Sequence, residues 1–491
     1  MYLKSAFMNK LNWFSFVVVC LFLFPDAKAQ GAEKYLKAAN QSNARAQFIL
    51  GLEYDLGHGV AQDYKKAMEW YLKAAKQGDA GAQASIGALY YQGHGVAQDY
   101  KKGMEWYLKA AKQGHPLAQY GLGSAYYEGL GVAQDYKKAM EWFLKAANQG
   151  NAEAQFMLGD LYETGKGVPR DYKKAMEWYL KAADQGFPEA QRNIGNMYSE
   201  GWAVPKDPKK AIEWWKKAAA QGDLAAQLRL GLTYFEGRLV SQDYKQAFEW
   251  FLKASNQGNA EAQHMIGVQY NDGLGVIHDY KKAMEWYLKA SNQGNAGAQH
   301  MIGVLYAKGL GVTQDFKKAA EWYLKSAKQG NDEAQFNLGA LYVIGQGVPQ
   351  DYKKAAEWTL KAANQSHAQA QSNMGFLYGG GLGVTQDDKK GAEWTLKAAN
   401  QGDAQAQFNI GILYYLGQGV PQDYKKAMEW YLKAANQGLA QAEYNLAILY
   451  FEGSGAEKDL KQAFVWCEKA ARQGFQPAID MLQELKKIEN H

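Results

Sequence analysis

The chain has 491 residues, 47% of them apolar, 21% charged and 14% aromatic, with 55 Lys and Arg against 50 Asp and Glu. Nine prolines and abundant aliphatic and aromatic side chains exclude collagen-like and disordered classes. The near balance of charge gives no electrostatic footing for nucleic acid or for a polybasic membrane anchor.

At the N-terminus, Lys4 and Lys10 precede an apolar run from Leu11 to Phe24, and Ala27-Lys28-Ala29 follows as a small-x-small cleavage site. This pattern predicts a secretory signal peptide over residues 1–29. The run of about 14 apolar residues is shorter than the ~20 that span a bilayer, so no stable membrane span is expected after cleavage. Cys20 lies inside that run and Cys467 is the only other cysteine. Cleavage after Ala29 leaves only Cys467, so no internal disulfide is expected and stability must come from packing.

From residue 43 onward one pattern recurs. Trp70 is followed at intervals of 36 residues by Trp106, Trp142 and so on to Trp466, with no insertion or deletion. The period defines twelve repeats: 43–78 is repeat 1, 79–114 is repeat 2, and 439–474 is repeat 12. Residues 30–42 resemble the second half of a repeat and 475–491 the first half. They are expected to act as an N-terminal half-repeat cap and a C-terminal capping helix, because a terminal repeat has no neighbour to cover it.

Each repeat reads as two helices. In repeat 4, Asn151 precedes apolar residues at helical spacing up to Tyr162, and Gly165 supplies a left-handed cap. Asp171 then caps a second helix that runs through Trp178 to about Asp184. An Asp stands at this second cap, and a Gly at the end of the first helix, in all twelve repeats. The predicted fold is all-α, an α/α superhelical solenoid of twelve helix-turn-helix repeats of 36 residues with partial capping units.

Ala46, Leu50 and Tyr54 share one face of the first helix, and the Gly51 position is Gly in eleven of twelve repeats. A mid-helix glycine costs ~1 kcal/mol relative to Ala, which predicts that another helix backbone or the Trp ring approaches there. Trp70 and its copies are expected to be core anchors. Lys65 with Glu69, and Glu69 with Lys73, predict an ion-pair ladder on the exposed face worth ~0.2–0.5 kcal/mol per pair.

Ala46, Gln47, Leu50, Gly51, Tyr54, Gly57, Gly59, Val60, Asp63, Lys66, Ala67, Trp70, Lys73, Ala74, Ala75 and Gly78 form a pattern that resembles the Sel-1-like repeat, a relative of the tetratricopeptide repeat. The likeness extends over residues 31–491. It implies an α/α superhelix that binds or assembles proteins, in bacteria often in the envelope or towards a host, immunoglobulins being among the host factors engaged. Other members of the family are described as β-lactamases, mostly cysteine-rich ones with a disulfide in each repeat. This chain departs from that subgroup, so the enzymatic label is not carried over.

Nothing in the sequence assembles a catalytic site. Gly57-His58-Gly59 follows a helix, not a strand, and reads as an inter-helix turn instead of a phosphate loop. Ser-x-x-Lys, Gly-x-Ser-x-Gly and His-Glu-x-x-His do not occur. His58 and His94, like His264 and His300, are equivalent positions in adjacent repeats. Packed helices lie ~8–10 Å apart, whereas ligands converge at ~2 Å from one metal ion. No cofactor, metal or catalytic residue is therefore expected, and Cys467 reads as a core substitution.

The positions of Arg45, Phe48, Leu52 and Asp55 vary most among the repeats and share one face of the first helix. In repeats of this type that helix is expected to line a concave surface. The face carries Phe48, Tyr91, Tyr120, Tyr127, Phe156, Phe235, Phe336, Phe408, Tyr415, Tyr444 and Phe451. These rings form either an aromatic partner-binding groove or packing between neighbouring repeats. A second candidate set lies in repeats 4–6, where Arg170, Arg192, Arg229 and Arg238 fall beside Trp202 and Trp215. Arg and Trp are favoured hot-spot residues, and neutral drift between copies is the rival explanation.

The expected function is that of an exported, monomeric protein-binding scaffold, periplasmic, cell-surface or secreted, in a host-interaction role. Its partner would be an envelope protein or a host secreted protein, immunoglobulin-type proteins included, and not nucleic acid. The alternatives are an envelope enzyme of the β-lactamase or peptidoglycan-acting kind, and a structural spacer.

Overall fold

The computed structural model describes residues 33–489; the expected signal peptide and the start of the half-repeat cap lie outside them. The described residues form twenty-six helices and no strand. They divide into two compact units, one ending at Gln242 and one beginning at Asp243. The division falls within repeat 6, between helices Leu224–Glu236 and Tyr244–Asn256.

Local capping explains where the helices start and stop. In repeat 1 they run Ala44–Leu56 and Tyr64–Lys76. The Asn43 side chain accepts from the Ala46 amide at 2.8 Å, and Asp63 accepts from the Lys65 and Lys66 amides at 3.1 and 3.0 Å. Each bond satisfies an N–H that the helix itself cannot. The Asp cap recurs on every second helix from repeat 1 to repeat 12. Gly57 ends the first helix at φ 70°, and the Gln62 side chain pins the loop by donating to the Asp55 carbonyl at 2.8 Å.

The second loop glycine serves the neighbouring repeat. A Cβ on Gly95, whose φ is 70°, would lie 2.7 Å from the backbone of Tyr64 in the repeat before. Repeat 5 places Ala203 at this position, still at φ 64°. A left-handed alanine costs roughly 1–2 kcal/mol. Beside it, Trp202 stacks on Tyr172, with centroids 5.2 Å apart and planes 15° apart.

The recurrent mid-helix glycine meets neither a helix backbone nor the invariant Trp first. A Cβ on Gly51 would lie 2.5 Å from Cδ1 of Tyr71, and one on Gly267 would lie 2.5 Å from Cδ1 of Tyr287. Both rings are fully buried. Repeat 12 reverses the exchange of volume: Ala447 replaces the glycine and Cys467 replaces the ring, both buried in one cluster. The Cys467 thiol donates to the Ala478 carbonyl at 3.0 Å, and burial pushes its pKa up to about 11, so it is a packing residue with little thiolate character.

The invariant Trp differs from the expected core anchor. It is half-buried in ten repeats, and only Trp250 and Trp466 fall among the buried residues. Trp70 packs against Ala39, Ala46 and Leu50, which ties repeat 1 to the preceding half-repeat. Its outer face is covered by a lysine three residues on: Lys73 Nζ stands 3.7 Å from the ring centroid. The same pair recurs in all twelve repeats. Such a contact contributes ~0.5–1 kcal/mol at an exposed site and draws Lys73 away from Glu69. Among the described residues the expected Lys–Glu ladder does not form; Lys66 pairs instead with its cap, Asp63, at 3.8 Å.

A buried glutamine ladder joins the repeats. Gln335 donates to the Ala327 carbonyl of the preceding repeat at 3.1 Å and accepts from Gln365 at 2.9 Å; Gln365 also donates to the Gly330 carbonyl at 2.9 Å. These bonds satisfy carbonyls at the end of a helix. Replacing Gln335 by Leu removes a donor and an acceptor from a buried site and is expected to cost about 1–3 kcal/mol in urea unfolding. Gln335→Glu keeps the acceptor and is expected to cost less, since Glu443 accepts from Gln473 at 2.8 Å in repeat 12.

Candidate partner-binding face

The first helices carry the positions that differ between repeats, and their surroundings decide which are available to a partner. Phe48 and Phe156 are buried, their centroids 5.9 Å from Tyr71 and 5.6 Å from Tyr179. Their apolar area is used inside the repeats, which corrects their placement on a groove surface. Tyr120, Phe235, Phe336, Phe408, Tyr415 and Tyr444 are half-buried. Of these, Tyr120 leans on Phe143, Phe336 on His367, Phe408 on Tyr431, Tyr415 on Tyr424 and Tyr444 on Phe475, at 4.7 to 5.7 Å.

Tyr91 and Tyr127 are half-buried and tied to the following repeat. The Tyr91 hydroxyl donates to the Leu130 carbonyl at 3.1 Å, and its ring lies 5.2 Å from Tyr107. The Tyr127 hydroxyl donates to Asp160 at 3.0 Å and accepts from Lys166 at 2.8 Å. Burial raises both phenol pKa values, so neither ring titrates in the ordinary range. These rings pack between repeats while leaving part of their surface open.

The Arg and Trp set of repeats 4–6 does not converge. Arg192 is clasped by Asp223 at 2.8 Å, with the two side chains 24% and 6% exposed. Trp215 is fully buried and donates to Asn196 at 3.0 Å. Trp202 is occupied by Tyr172. Arg170, Arg229 and Arg238 are exposed: Arg170 lies 3.5 Å from the Tyr172 hydroxyl, Arg229 lies 5.7 Å from the centre of the Trp215 ring, and Arg238 pairs with Glu236 at 3.2 Å. Nearby, the Tyr179 hydroxyl donates to Glu163 at 2.5 Å, and burial raises the pKa of Glu163 and of Asp160. The charges on this stretch are largely answered from within the protein.

Repeats 9–12 differ. Phe376, Ile344 and Leu416 are 66%, 57% and 52% exposed, more than any aromatic named from the sequence. Asn337, Asn373, Asn409 and Asn445 occupy one position of the first helix in four consecutive repeats and are half-exposed. The aromatics named from the sequence in this stretch are Phe336, Phe408, Tyr415, Tyr444 and Phe451; Phe376, at the Leu52 position, is not among them. Comparing each repeat with its two neighbours finds Phe376, because two of the four variable positions in repeat 10 are Ser372 and Gly379, where repeat 11 has Phe408 and Tyr415.

His264 and His300 rest on Tyr287 and Tyr323, at 5.8 and 5.7 Å, and burial lowers both pKa values, keeping the rings neutral at pH 7. Among the described residues no three His, Cys, Asp or Glu side chains gather as a metal set, and no helix is long and apolar enough to cross a membrane.

These features define a solenoid of helix pairs with one repeated scaffold and one variable face. The Sel1 repeat family matches twelve consecutive segments, 44–79, 80–115 and onward to 440–475, and the chain belongs to that family. Sel1-repeat proteins are typically protein-interaction scaffolds. A solved structure of c5321, a protective antigen of uropathogenic Escherichia coli strains with an SLR fold, is 38% identical, with a TM-score of 0.74 over 92% of this chain and 97% of that one. A Sel1 repeat protein from Oxalobacter formigenes is 34% identical, with a TM-score of 0.52 over 63% of this chain and 90% of its own. No curated protein matches the chain.

Proposed function

We propose that this chain is an exported, non-enzymatic scaffold that binds a partner protein along its first-helix face and acts towards a host. The observation that carries the reading is the separation of roles along each repeat. Caps, the glutamine ladder and the Trp–Lys pair recur almost unchanged, while the Arg45, Phe48, Leu52 and Asp55 positions change from copy to copy. The basic, apolar and small-x-small order of residues 1–29 supports export. The likeness to an antigen of uropathogenic strains over nearly the whole chain supports a host-facing role.

Immobilised residues 30–491, incubated in parallel with bacterial envelope extract and host secretory fluid, test the reading. Specific retention of a host protein is the expected result. A specific envelope partner would instead make the chain an assembly scaffold of the producing cell, and retention from neither source would defeat the protein-binding reading.

A further inference from the structure

We propose that the loop of repeat 6 is a processing site, where an arginine-directed endoprotease cuts the Arg238–Leu239 bond and leaves two folded solenoids. The cut requires only that the chain meets such a protease, whatever else it binds.

Eleven repeats close the loop between their two helices in one way. The residue after the capping glycine donates its amide to the carbonyl five residues back, as His58 does to Glu53 at 3.1 Å and Gln346 to Leu341 at 3.2 Å. The next residue is left-handed, at φ 64° to 82°, and is glycine in ten repeats and Ala203 in repeat 5. Repeat 6 departs on both counts. Leu239 holds the second position and is not left-handed. Among the described residues, the Arg238 amide makes no bond to the Thr233 carbonyl.

The leucine side chain accounts for both departures. A branched side chain rarely takes the left-handed conformation, because its Cβ crowds the neighbouring carbonyl. The position also lies against the preceding repeat: a Cβ on Gly131 would stand 2.7 Å from the Tyr100 backbone. Leu239 cannot follow that course, so the chain keeps clear and the closing bond is lost. Two anchors remain at the ends of the loop. Gly237 donates to the Thr233 carbonyl at 3.1 Å, and the Gln242 side chain donates to the Phe235 carbonyl at 2.8 Å. Between them, among the described residues, no backbone hydrogen bond engages Arg238 to Ser241.

Charge selects the protease. An endoprotease takes its substrate as extended chain, so helices and closed loops resist it and an open loop tip does not. The Arg238 side chain is 81% exposed, and its pair with Glu236 at 3.2 Å is a surface contact that water and salt weaken. A trypsin-like S1 pocket offers a carboxylate to that guanidinium. In the hydrolysis, water gives its hydroxyl to the Arg238 carbonyl carbon and a proton to the Leu239 nitrogen as the bond between them breaks. Other loop cations are less open. Lys166 donates to the Tyr127 hydroxyl at 2.8 Å in a loop whose closing bond is intact, and Arg170, Lys206 and Lys458 each precede the Asp that caps a second helix.

The cut also gives each product the ends of the whole. The described chain begins with a second-type helix, Glu33–Asn40, and finishes with a first-type helix, Gln476–Glu489. Cleavage after Arg238 finishes one product on the first helix Leu224–Glu236 and begins the other with the second helix Tyr244–Asn256. The two compact units divide in this same loop, after Gln242.

Limited digestion of folded residues 30–491 with trypsin, its products weighed by mass spectrometry, supplies the test. The first cut within the twelve repeats is expected at Arg238–Leu239, with the helical circular dichroism of the parent retained by the products. The cutting rate is expected to fall at least tenfold in Arg238→Gln. It should fall as far in Leu239→Gly, which keeps the arginine and restores the loop glycine. That variant copies the loop of ten other repeats, so its thermal melt should not lie below the parent's. Gln346→Arg places an arginine in a closed loop, and its new bond is expected to be cut at least tenfold more slowly than Arg238–Leu239. A first cut elsewhere in the repeats, or Leu239→Gly cut at the parent rate, overturns the proposal. Loss of the helical signal on cleavage overturns it too, because the products would then not be folded solenoids.

Discussion

Asp55→Asn is expected to stabilise repeat 1 by about 4 kcal/mol at pH 8 and to change little at pH 4. Asp55 is buried, accepts from the Tyr71 hydroxyl at 2.8 Å through Oδ2, and leaves Oδ1 without a partner. Burial lifts its pKa from 3.8 to about 7, and the Tyr71 hydrogen bond opposes only part of that rise. The folded state thus holds the proton more tightly than the unfolded chain. Stability is complete below about pH 4, declines as pH climbs towards 7, and levels off above it. Asparagine is neutral throughout and can still accept from Tyr71. Its amide group would lack a partner, but so does Oδ1 now, and that cost is largely common to both. Urea unfolding from pH 4 to 9, with hydrogen exchange read over residues 44–76, checks the result. A pH slope that survives in the variant would show that another group is responsible.

Tyr287→Cys is expected to cost about 3–5 kcal/mol, because it empties the space of a fully buried ring. Gly267→Ala brings a Cβ within 2.5 Å of Tyr287 Cδ1 and Cε1. Its overpacking cost of about 1–3 kcal/mol exceeds the ~1 kcal/mol gained from helix propensity. Combined, the two substitutions copy the Ala447 and Cys467 pair of repeat 12. The double variant is expected to be at least 1 kcal/mol more stable than the sum of the single losses. Additive losses would mean that glycine and ring do not share one volume. Hydrogen exchange on helices Ala260–Asp272 and Tyr280–Asn292 localises the effect, which a global melt of a long repeat array blurs.

The candidate site was only partly legible in the sequence. Variation among copies points to one face of the first helix, and the exposed Phe376 stands on it at the Leu52 position. Residue type alone does not say which side chains on that face are open. Aromatics and arginines were selected for their general preference at interfaces, yet Phe48, Phe156 and Trp202 serve neighbouring rings and Arg192 serves Asp223. A ring at a variable position becomes a contact surface only where the facing positions leave it uncovered, and that depends on side chains 36 residues away in each direction.

The sequence alone determined the period, the helix boundaries and the solenoid class, because these rest on local interactions. An Asp or Asn cap bonds an amide two or three residues on, and a left-handed Gly ends a helix wherever it stands. The tertiary structure decided what the mid-helix glycine makes room for, how the invariant Trp is used and which part of the variable face stays open. The Tyr71 ring reaches Gly51 from another helix, and Lys73 Nζ stands 3.7 Å from the centre of the half-buried Trp70 ring. Near-identical repeats share every local rule, so what distinguishes one from another is set by the side chains its neighbours bring against it.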